Sequence, residues 1–156
     1  MFGKINMSLE KDIQQKSFRN EHQKAAVNIL FSANWLNEQI KAFLLEEDIT
    51  PQQYNILRIL RGSNKPISTL QIRERMLDKM SDTSRIVDRL LLKGLVEKKI
   101  SCADKRLVDV NIAKKGSALI ERLNQKNDSL DGILNQLNND EVVILNDLLD
   151  KMRNKK

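Results

Sequence analysis

The stretch that decides the fold is residues 66–116, which read PISTLQIRERMLDKMSDTSRIVDRLLLKGLVEKKISCADKRLVDVNIAKKG. Ser68 can cap a short helix that ends near Leu77, and a second helical pattern runs from about Ser81 to Lys93. Gly94 follows the second pattern and suits the left-handed backbone conformation that closes a helix. Two short helices joined by a brief turn predict a helix-turn-helix.

Two strand-like runs follow the helix pair, over residues 95–100 and 107–112. In the second run Val108, Val110 and Ile112 alternate with polar residues, which is the period-two pattern of a half-buried strand. The six residues between the runs are too polar for a core and form the expected hairpin tip. A helix pair followed by a β-ribbon predicts a winged helix-turn-helix, a shape suited to duplex DNA.

Long helical patterns lie on both sides of this segment. Apolar residues at spacings of three and four predict one helix from about Glu10 to Glu47, bent near residues 17–20. Residues 50–53, TPQQ, start the next helix with a capping box and a proline in the first turn. Toward the C-terminus, a 3.5-residue period predicts a second long helix over residues 113–137, and a last helix starts at Asn139. The expected fold class is mainly α with a small β-hairpin.

These patterns divide the chain into three expected parts. Residues 1–48 form an N-terminal dimerisation helix, residues 49–116 the winged helix-turn-helix domain, and residues 117–156 the C-terminal dimerisation helices. The terminal helices carry more apolar surface than the middle part could cover, and association with a second copy is the economical explanation. Asn127, within the apolar seam, either sets the register of paired helices or points into solvent.

Positive charge is concentrated in the middle of the chain. The whole sequence has 27 Lys and Arg against 21 Asp and Glu, a net charge of +6. Residues 50–116 alone hold 15 basic and 7 acidic side chains, so the rest of the chain is slightly acidic. A local excess of this kind attracts polyanions and is screened by salt. On a segment that reads as a winged helix, it favours DNA as the partner.

Composition argues against several other classes of protein. No apolar run approaches the roughly 20 residues that span a bilayer, and residues 1–7 lack the hydrophobic core of a signal peptide, so we expect a cytoplasmic protein without a membrane partner. A single cysteine, Cys102, excludes an internal disulfide framework. The sequence has no phosphate-binding glycine loop, no metal-ligand cluster and no nucleophile–base spacing. We therefore expect no enzyme activity, no cofactor and no metal.

The second helix of the pair should present polar side chains to DNA. Arg85 lies on its outward face and is the first candidate for a base contact, because a guanidinium can grip guanine O6 and N7; the alternative is a pair with Asp88. Small hydroxyls at the helix start can hold phosphates, with Ser81 expected to cap the helix and Thr83 facing inward on the helical wheel. The candidates for DNA contact are Ser81, Asp82, Thr83, Ser84, Arg85 and Arg89. Arg73 and Arg75 of the first helix are further candidates for contact with the DNA backbone.

The hairpin supplies a second group of candidates. Arg106 at the tip can enter the narrow minor groove, whose negative potential favours arginine, while Asp104 orients Arg106 or closes the turn. Lys98 and Lys105 are placed for phosphates, and the alternative for each is a solvated strand edge. Cys102 lies beside these cations, which lower a thiol pKa, so it is either an oxidation sensor or an unremarkable loop cysteine.

With these motifs in place, the chain resembles the MarR family of bacterial transcriptional regulators. The matching residues are TPQQY at 50–54, SRIVDRL at 84–90, KGLV at 93–96 and DKR at 104–106, the last corresponding to the family's Asp-x-Arg in the wing. The resemblance covers almost the whole chain. Ala113 departs from it, since the family commonly has a threonine there, and its absence leaves the next helix without that cap.

The resemblance implies a homodimer that binds a pseudo-palindromic operator in double-stranded DNA, typically represses nearby genes and is often released by a small ligand. Phe31, Trp35, Phe43 and Met80 are candidate pocket residues for such an inducer, although core packing explains apolar residues at helical spacing equally well. The alternative function is a winged-helix adaptor that contacts proteins and has no sequence-specific DNA binding.

Overall fold

The computed structural model describes residues 8–100 and 108–154, which separate into two compact units with the boundary between Gln39 and Ile40. The first unit contains a single helical turn, α1 (Leu9–Asp12), and most of a long helix, α2 (Glu21–Leu44). The expected single helix over Glu10–Glu47 is therefore wrong.

The chain leaves the helical conformation after α1 because local hydrogen bonds compete with it. Gln14 adopts a left-handed φ of 54°. Asn20 Oδ1 accepts a hydrogen bond from the backbone N–H of Gln23 at 2.9 Å, and Gln23 Oε1 accepts one from the backbone N–H of Arg19 at 2.7 Å. An asparagine that caps in this way starts a new helix at Glu21, and the apolar spacing alone does not show it.

The second unit begins inside α2 and continues through a 3₁₀ turn (Leu45–Glu47) into α3 (Pro51–Ser63). The Thr50–Gln53 capping box predicted for the start of α3 is confirmed, with both reciprocal hydrogen bonds present. A second predicted box, between Ser68 and Gln71, is confirmed at the start of α4 (Thr69–Arg75).

A three-stranded antiparallel sheet packs beside these helices. It consists of β1 (Ile67–Ser68), β2 (Val96–Ile100) and β3 (Val108–Ile112) in the order β1-β3-β2. Val110 of the central strand pairs with Ile67 on one side and with Lys98 on the other. The predicted hairpin is thus confirmed as β2 and β3. Both α4 and α5 (Thr83–Leu92) lie between β1 and β2 in the chain, and together they form the helix-turn-helix.

One hydrophobic core holds the second unit together. It joins the end of α2 with α3, α4, α5, the sheet and α6 (Lys114–Asn124). Its buried residues are Leu44, Ile49, Ile56, Leu57, Leu60, Ile67, Ile72, Met76, Val87, Leu90, Leu95, Val96, Val110, Leu119, Ile120 and Leu123. The expected boundary at residue 117 does not interrupt this core, because α6 buries its apolar face in it. The role of the terminal helices in dimerisation stays a prediction.

The start of α6 lies against the backbone that precedes β2. A Cβ at Gly116 would approach the carbonyl oxygen of Leu95 to 2.2 Å, so only glycine allows the helix this close to the strand. The same Leu95 oxygen accepts a hydrogen bond from the N–H of Ala113 at 3.0 Å. Ala113 occupies the N-cap position and supplies no side-chain hydrogen bond, in agreement with the expectation from sequence.

The predicted continuous helix over residues 113–137 is also wrong. α6 ends at Asn124, a short α7 (Asn127–Asp131) follows, and a 3₁₀ turn (Gly132–Leu134) precedes the last helix, α8 (Asn139–Arg153). Asn127 is the exposed first residue of α7 and does not belong to a continuous apolar seam. Asn138 and Glu141 form a capping box that starts α8.

The last helix is mostly exposed in the single chain, with only Val142 and Leu149 partly covered. None of its described side chains is buried. Its exposed apolar residues are Val143, Ile144, Leu145, Leu148 and Met152. Among the described residues, the helices are all too short or too polar to cross a membrane.

Candidate DNA interface

The N-terminus of α5 is capped by Asp82, whose Oδ1 accepts a hydrogen bond from the backbone N–H of Arg85 at 3.1 Å. The expectation that Ser81 is the cap is wrong. Ser81 instead donates its hydroxyl hydrogen bond to the carboxylate of Asp78, and that bond lowers the pKa of Asp78. Because Asp82 takes one of the free N–H groups, its carboxylate serves the helix and does not face a phosphate as a free charge.

The C-terminus of α5 closes as predicted, through a glycine. Gly94 has a φ of 68°, and its N–H donates to the carbonyl oxygen of Leu91 at 2.9 Å. The N–H of Leu95 donates to the carbonyl oxygen of Leu90 at 3.0 Å, which completes a Schellman motif. Both ends of α5 are therefore fixed by hydrogen bonds that stop it at a defined length.

Between these ends, α5 divides into a buried face and an exposed face. Val87 and Leu90 are buried in the core, while Ser84, Arg85 and Arg89 are exposed. Within the part of the chain that the structure describes, the guanidinium of Arg85 has no hydrogen-bond or ion-pair partner. The alternative pair of Arg85 with Asp88 is not formed. Among the described residues, no side chain competes with an outside ligand for the guanidinium of Arg85.

Thr83 does not belong to the exposed face. Its side chain is 5% exposed, and its hydroxyl donates a hydrogen bond to Met76 Sδ at 3.3 Å inside the core. The predicted contact of this hydroxyl with DNA is wrong, because the group is already used in packing α5 against the end of α4. The inward position of Thr83 on the helical wheel had already indicated that its side chain is buried.

Lys98 on β2 forms an ion pair with Asp88 on the exposed face of α5. The lysine was predicted to hold phosphates, but its ammonium is occupied by this carboxylate. The pair neutralises the acid on a face that otherwise carries arginines, and it ties the hairpin to the helix. A spacing of ten residues across a turn gave no signal for it in the sequence.

A recess of about 350 Å³ lies between the starts of α4 and α5. Arg73 of α4 and Ser81, Asp82 and Ser84 of the segment around the α5 cap line it, together with Thr69, Leu70, Met80 and Thr83. Thr69 and Leu70 were not predicted as site residues. The Ser68 capping box was the available signal, because it places both residues in the first turn of α4.

Four predicted site residues lie outside the described residues. They are Cys102, Asp104, Lys105 and Arg106. Their predicted roles at the hairpin tip stay predictions.

The four candidate pocket residues have different environments. Phe31 and Trp35 line a recess of about 360 Å³ in the first unit, next to the ion pair of Lys24 with Glu10 at 2.5 Å. Phe43 packs against the core of the second unit. Met80 is 93% exposed in the single chain and lines the recess between α4 and α5, so its role in a ligand pocket stays a prediction.

The described residues lack the pattern of a metal site. Over residues 8–100 and 108–154, no group of three or more His, Cys, Asp or Glu side chains is arranged to hold a metal ion.

The fold and the exposed face of α5 define a winged helix-turn-helix protein with exposed cations on the second helix of the motif. The sequence profile of the MarR family matches residues 49–108. The multiple antibiotic resistance protein MarR of Salmonella typhimurium is 30% identical over 112 residues, which is 70% of this chain and 77% of that protein. The chain belongs to the MarR family and is a MarR-family transcription regulator.

Solved structures agree with this assignment. A mutant of MarR from E. coli complexed with operator DNA has a TM-score of 0.79 and 26% sequence identity, covering 88% of this chain and 99% of that one. BpsR from Bordetella bronchiseptica, whose DNA binding is regulated by 6-hydroxynicotinic acid, has a TM-score of 0.74 and 20% identity, covering 84% and 99%. At that identity, the second likeness concerns the fold alone.

Proposed function

We propose that this protein is a homodimeric repressor that binds a pseudo-palindromic DNA operator in the cytoplasm and has no catalytic activity of its own. The observation that carries the proposal is the exposed face of α5, where Arg85 and Arg89 lie exposed beside Ser84 on a helix fixed at both ends. A major groove about 12 Å wide admits such a helix, and an unpaired guanidinium can bind guanine.

Electrostatics supports the same partner. Residues 50–116 hold 15 basic and 7 acidic side chains. The acidic residue of α5, Asp88, is neutralised by Lys98. The likeness to MarR bound to its operator supports placing α5 in the groove. We refer to α5 from here on as the recognition helix.

A second copy of the chain is the proposed partner of the exposed apolar residues. In the first unit, α2 leaves Leu30, Phe31 and Trp35 exposed, and in the second unit α8 leaves Leu145 and Leu148 exposed among others. Contiguous apolar patches that are exposed on a protein surface mark sites of association. A two-fold dimer would present two recognition helices to successive major grooves about 34 Å apart.

We also propose that a small ligand releases the protein from DNA. The recess in the first unit, with Phe31 and Trp35 beside the Lys24–Glu10 ion pair, is the candidate binding place among the described residues. Its mixture of aromatic and charged groups suits a small planar molecule with a polar end.

Selection of bound fragments from the source genome, followed by fluorescence anisotropy on the selected duplex, tests the DNA-binding part. We expect a shared two-fold sequence and an affinity that falls linearly on a log–log plot of binding constant against salt. Sedimentation of the free protein should give a dimer. A winged-helix adaptor would select no shared sequence, and that result would replace the operator proposal with the adaptor.

A further inference from the structure

Three consecutive carboxylates begin two residues after the end of α2, and each pairs with a basic side chain elsewhere in the second unit. We call Glu46, Glu47 and Asp48 the acidic turn. The pairs are Glu46 Oε2 with Lys126 Nζ at 2.8 Å, Glu47 Oε2 with Arg122 Nη2 at 2.7 Å, and Asp48 Oδ2 with Lys93 Nζ at 2.8 Å. Two of these bonds reach the region of α6, and the third reaches the recognition helix.

Glu47 anchors the turn. Its side chain is 15% exposed, and the hydrogen bond from Arg122 of α6 lowers the pKa of its carboxyl. Leu44, just before the turn, is fully buried in the core. The backbone that carries Asp48 is therefore held on the body of the second unit, so Asp48 has a fixed base from which to hold another element.

Asp48 holds the C-terminal end of the recognition helix through two oxygen atoms. Lys93 is the C-cap residue of that helix, and its ammonium donates to both the carboxylate and the backbone carbonyl of Asp48. Asp48 has a left-handed φ of 51°, a conformation that Asp and Asn adopt more readily than most residues. From α6, Lys115 Nζ donates to the carbonyl oxygen of Lys93 at 3.0 Å. The same cap residue is thus tied to two elements.

We propose that Asp48 is a positioning residue for operator binding, acting through Lys93 on the placement of the recognition helix. The inference rests on the proposed operator binding. Asp48 carries a negative charge, which repels phosphate, so it cannot contribute by touching the DNA backbone. Its positioning role and its charge therefore predict opposite effects when the charge is removed.

The decisive variant is Asp48→Asn, which keeps a residue suited to the left-handed conformation and removes the charge. Loss of repulsion alone would tighten binding to all DNA. Loss of positioning should weaken operator binding about two- to fivefold, the range set by an exposed ion pair, while binding to random duplex stays equal or tightens. The salt slope should stay unchanged, since no phosphate contact is lost.

Glu46→Gln is the matched control. It removes the same charge two residues away, but its partner is Lys126, outside the recognition helix. We expect operator binding by this variant to equal or slightly exceed that of the wild type. Both variants are measured at a temperature where thermal melting curves show them fully folded, so that the comparison reports placement of the helix and not loss of fold.

A double-mutant cycle with Lys93→Met completes the test. Lys93→Met alone should weaken operator binding, and it should cost less in the Asp48→Asn background, because the ion pair is already lost there and only hydrogen bonds to neutral oxygens remain. Equal costs in both backgrounds, or tighter operator binding by Asp48→Asn, would overturn the inference and leave operator binding itself intact. A wild-type chain that binds no duplex would overturn both proposals together.

Discussion

At the scale of single residues, the exposed face of the recognition helix shows how side chains of similar chemistry take different roles. Ser84 and Arg85 are exposed, whereas Thr83 between Asp82 and Ser84 is buried and bonded to Met76. Lys98 is paired with Asp88, whereas Arg85 is free among the described residues. Partners within the fold, more than residue type, decide which groups remain for a ligand.

Replacing Arg85 by alanine tests the free guanidinium. If it binds a guanine, Arg85→Ala should cost about 1–3 kcal/mol of operator binding and relax the preference at one base pair in each half-site. Anisotropy titrations with the operator, with base-substituted operators and with random duplex measure both effects. Arg19→Ala removes the same charge from an exposed segment of the first unit and is expected to bind normally. Equal losses on operator and random DNA would make Arg85 a phosphate contact instead.

Glu47 and Arg122 should make stability depend on pH in the acidic range. The hydrogen bond from Arg122 keeps the pKa of Glu47 below its ordinary value of 4.5, so the pair stabilises the folded state while the carboxylate is charged. That contribution is fully present above the ordinary pKa and is lost as pH falls through the lower folded-state pKa.

Urea denaturation of the wild type and of Glu47→Gln measures this difference. We expect the wild type to exceed the variant by up to about 1 kcal/mol near pH 7, and the gap to narrow below about pH 4.5. A gap that is independent of pH would mean that the variant loses packing and not an ion pair.

At the scale of elements, the sequence predicted helix ends correctly where the residues that determine them lie close together in the chain. The capping boxes of α3 and α4 and the glycine that ends the recognition helix depend on residues within one turn, and all three are confirmed. The bend expected near residues 17–20 is a full break between α1 and α2, and the break after α6 at 125–126 was not predicted, because apolar spacing does not show where a helix ends. The pairs of Asp48 with Lys93 and of Asp88 with Lys98 join distant segments, which a periodic pattern cannot show.

The contact between α6 and the backbone before β2 predicts a strict requirement for glycine. Gly116→Ala would place a methyl group 2.2 Å from the carbonyl oxygen of Leu95 and 3.0 Å from Ile112 Cγ1. Because both atoms belong to a packed core, we expect a loss of about 1–3 kcal/mol in unfolding free energy. Gly132→Ala, where the added methyl group meets nothing within 4 Å, is the matched control and should be neutral or slightly stabilising. Thermal melts that shift equally for both variants would contradict the crowding argument.

At the scale of the whole molecule, the uncovered apolar face of α8 predicts self-association. Leu148 is 57% exposed in the single chain. If a second copy covers it, Leu148→Glu should place a charge in an apolar contact and shift the protein toward monomer. Asn146→Glu adds a charge at another exposed position of the same helix and should remain dimeric. Sedimentation velocity over a dilution series distinguishes the two. A Leu148→Glu protein that dimerises like the wild type would move the interface elsewhere.

The exposed apolar face of α8 also makes gene regulation depend on the concentration of the regulator. Where most copies are unassociated, mass action makes the concentration of paired chains rise with the square of total synthesis. The fraction of the two-fold symmetric operator that is occupied would then fall more steeply than the total concentration of the regulator. A modest drop in translation of the regulator would therefore change expression of the regulated genes sharply. Unpaired monomers would keep the apolar side chains of α8 exposed to water. Proteases that recognise exposed apolar segments would degrade these monomers faster, which would make the dependence of gene expression on protein concentration steeper.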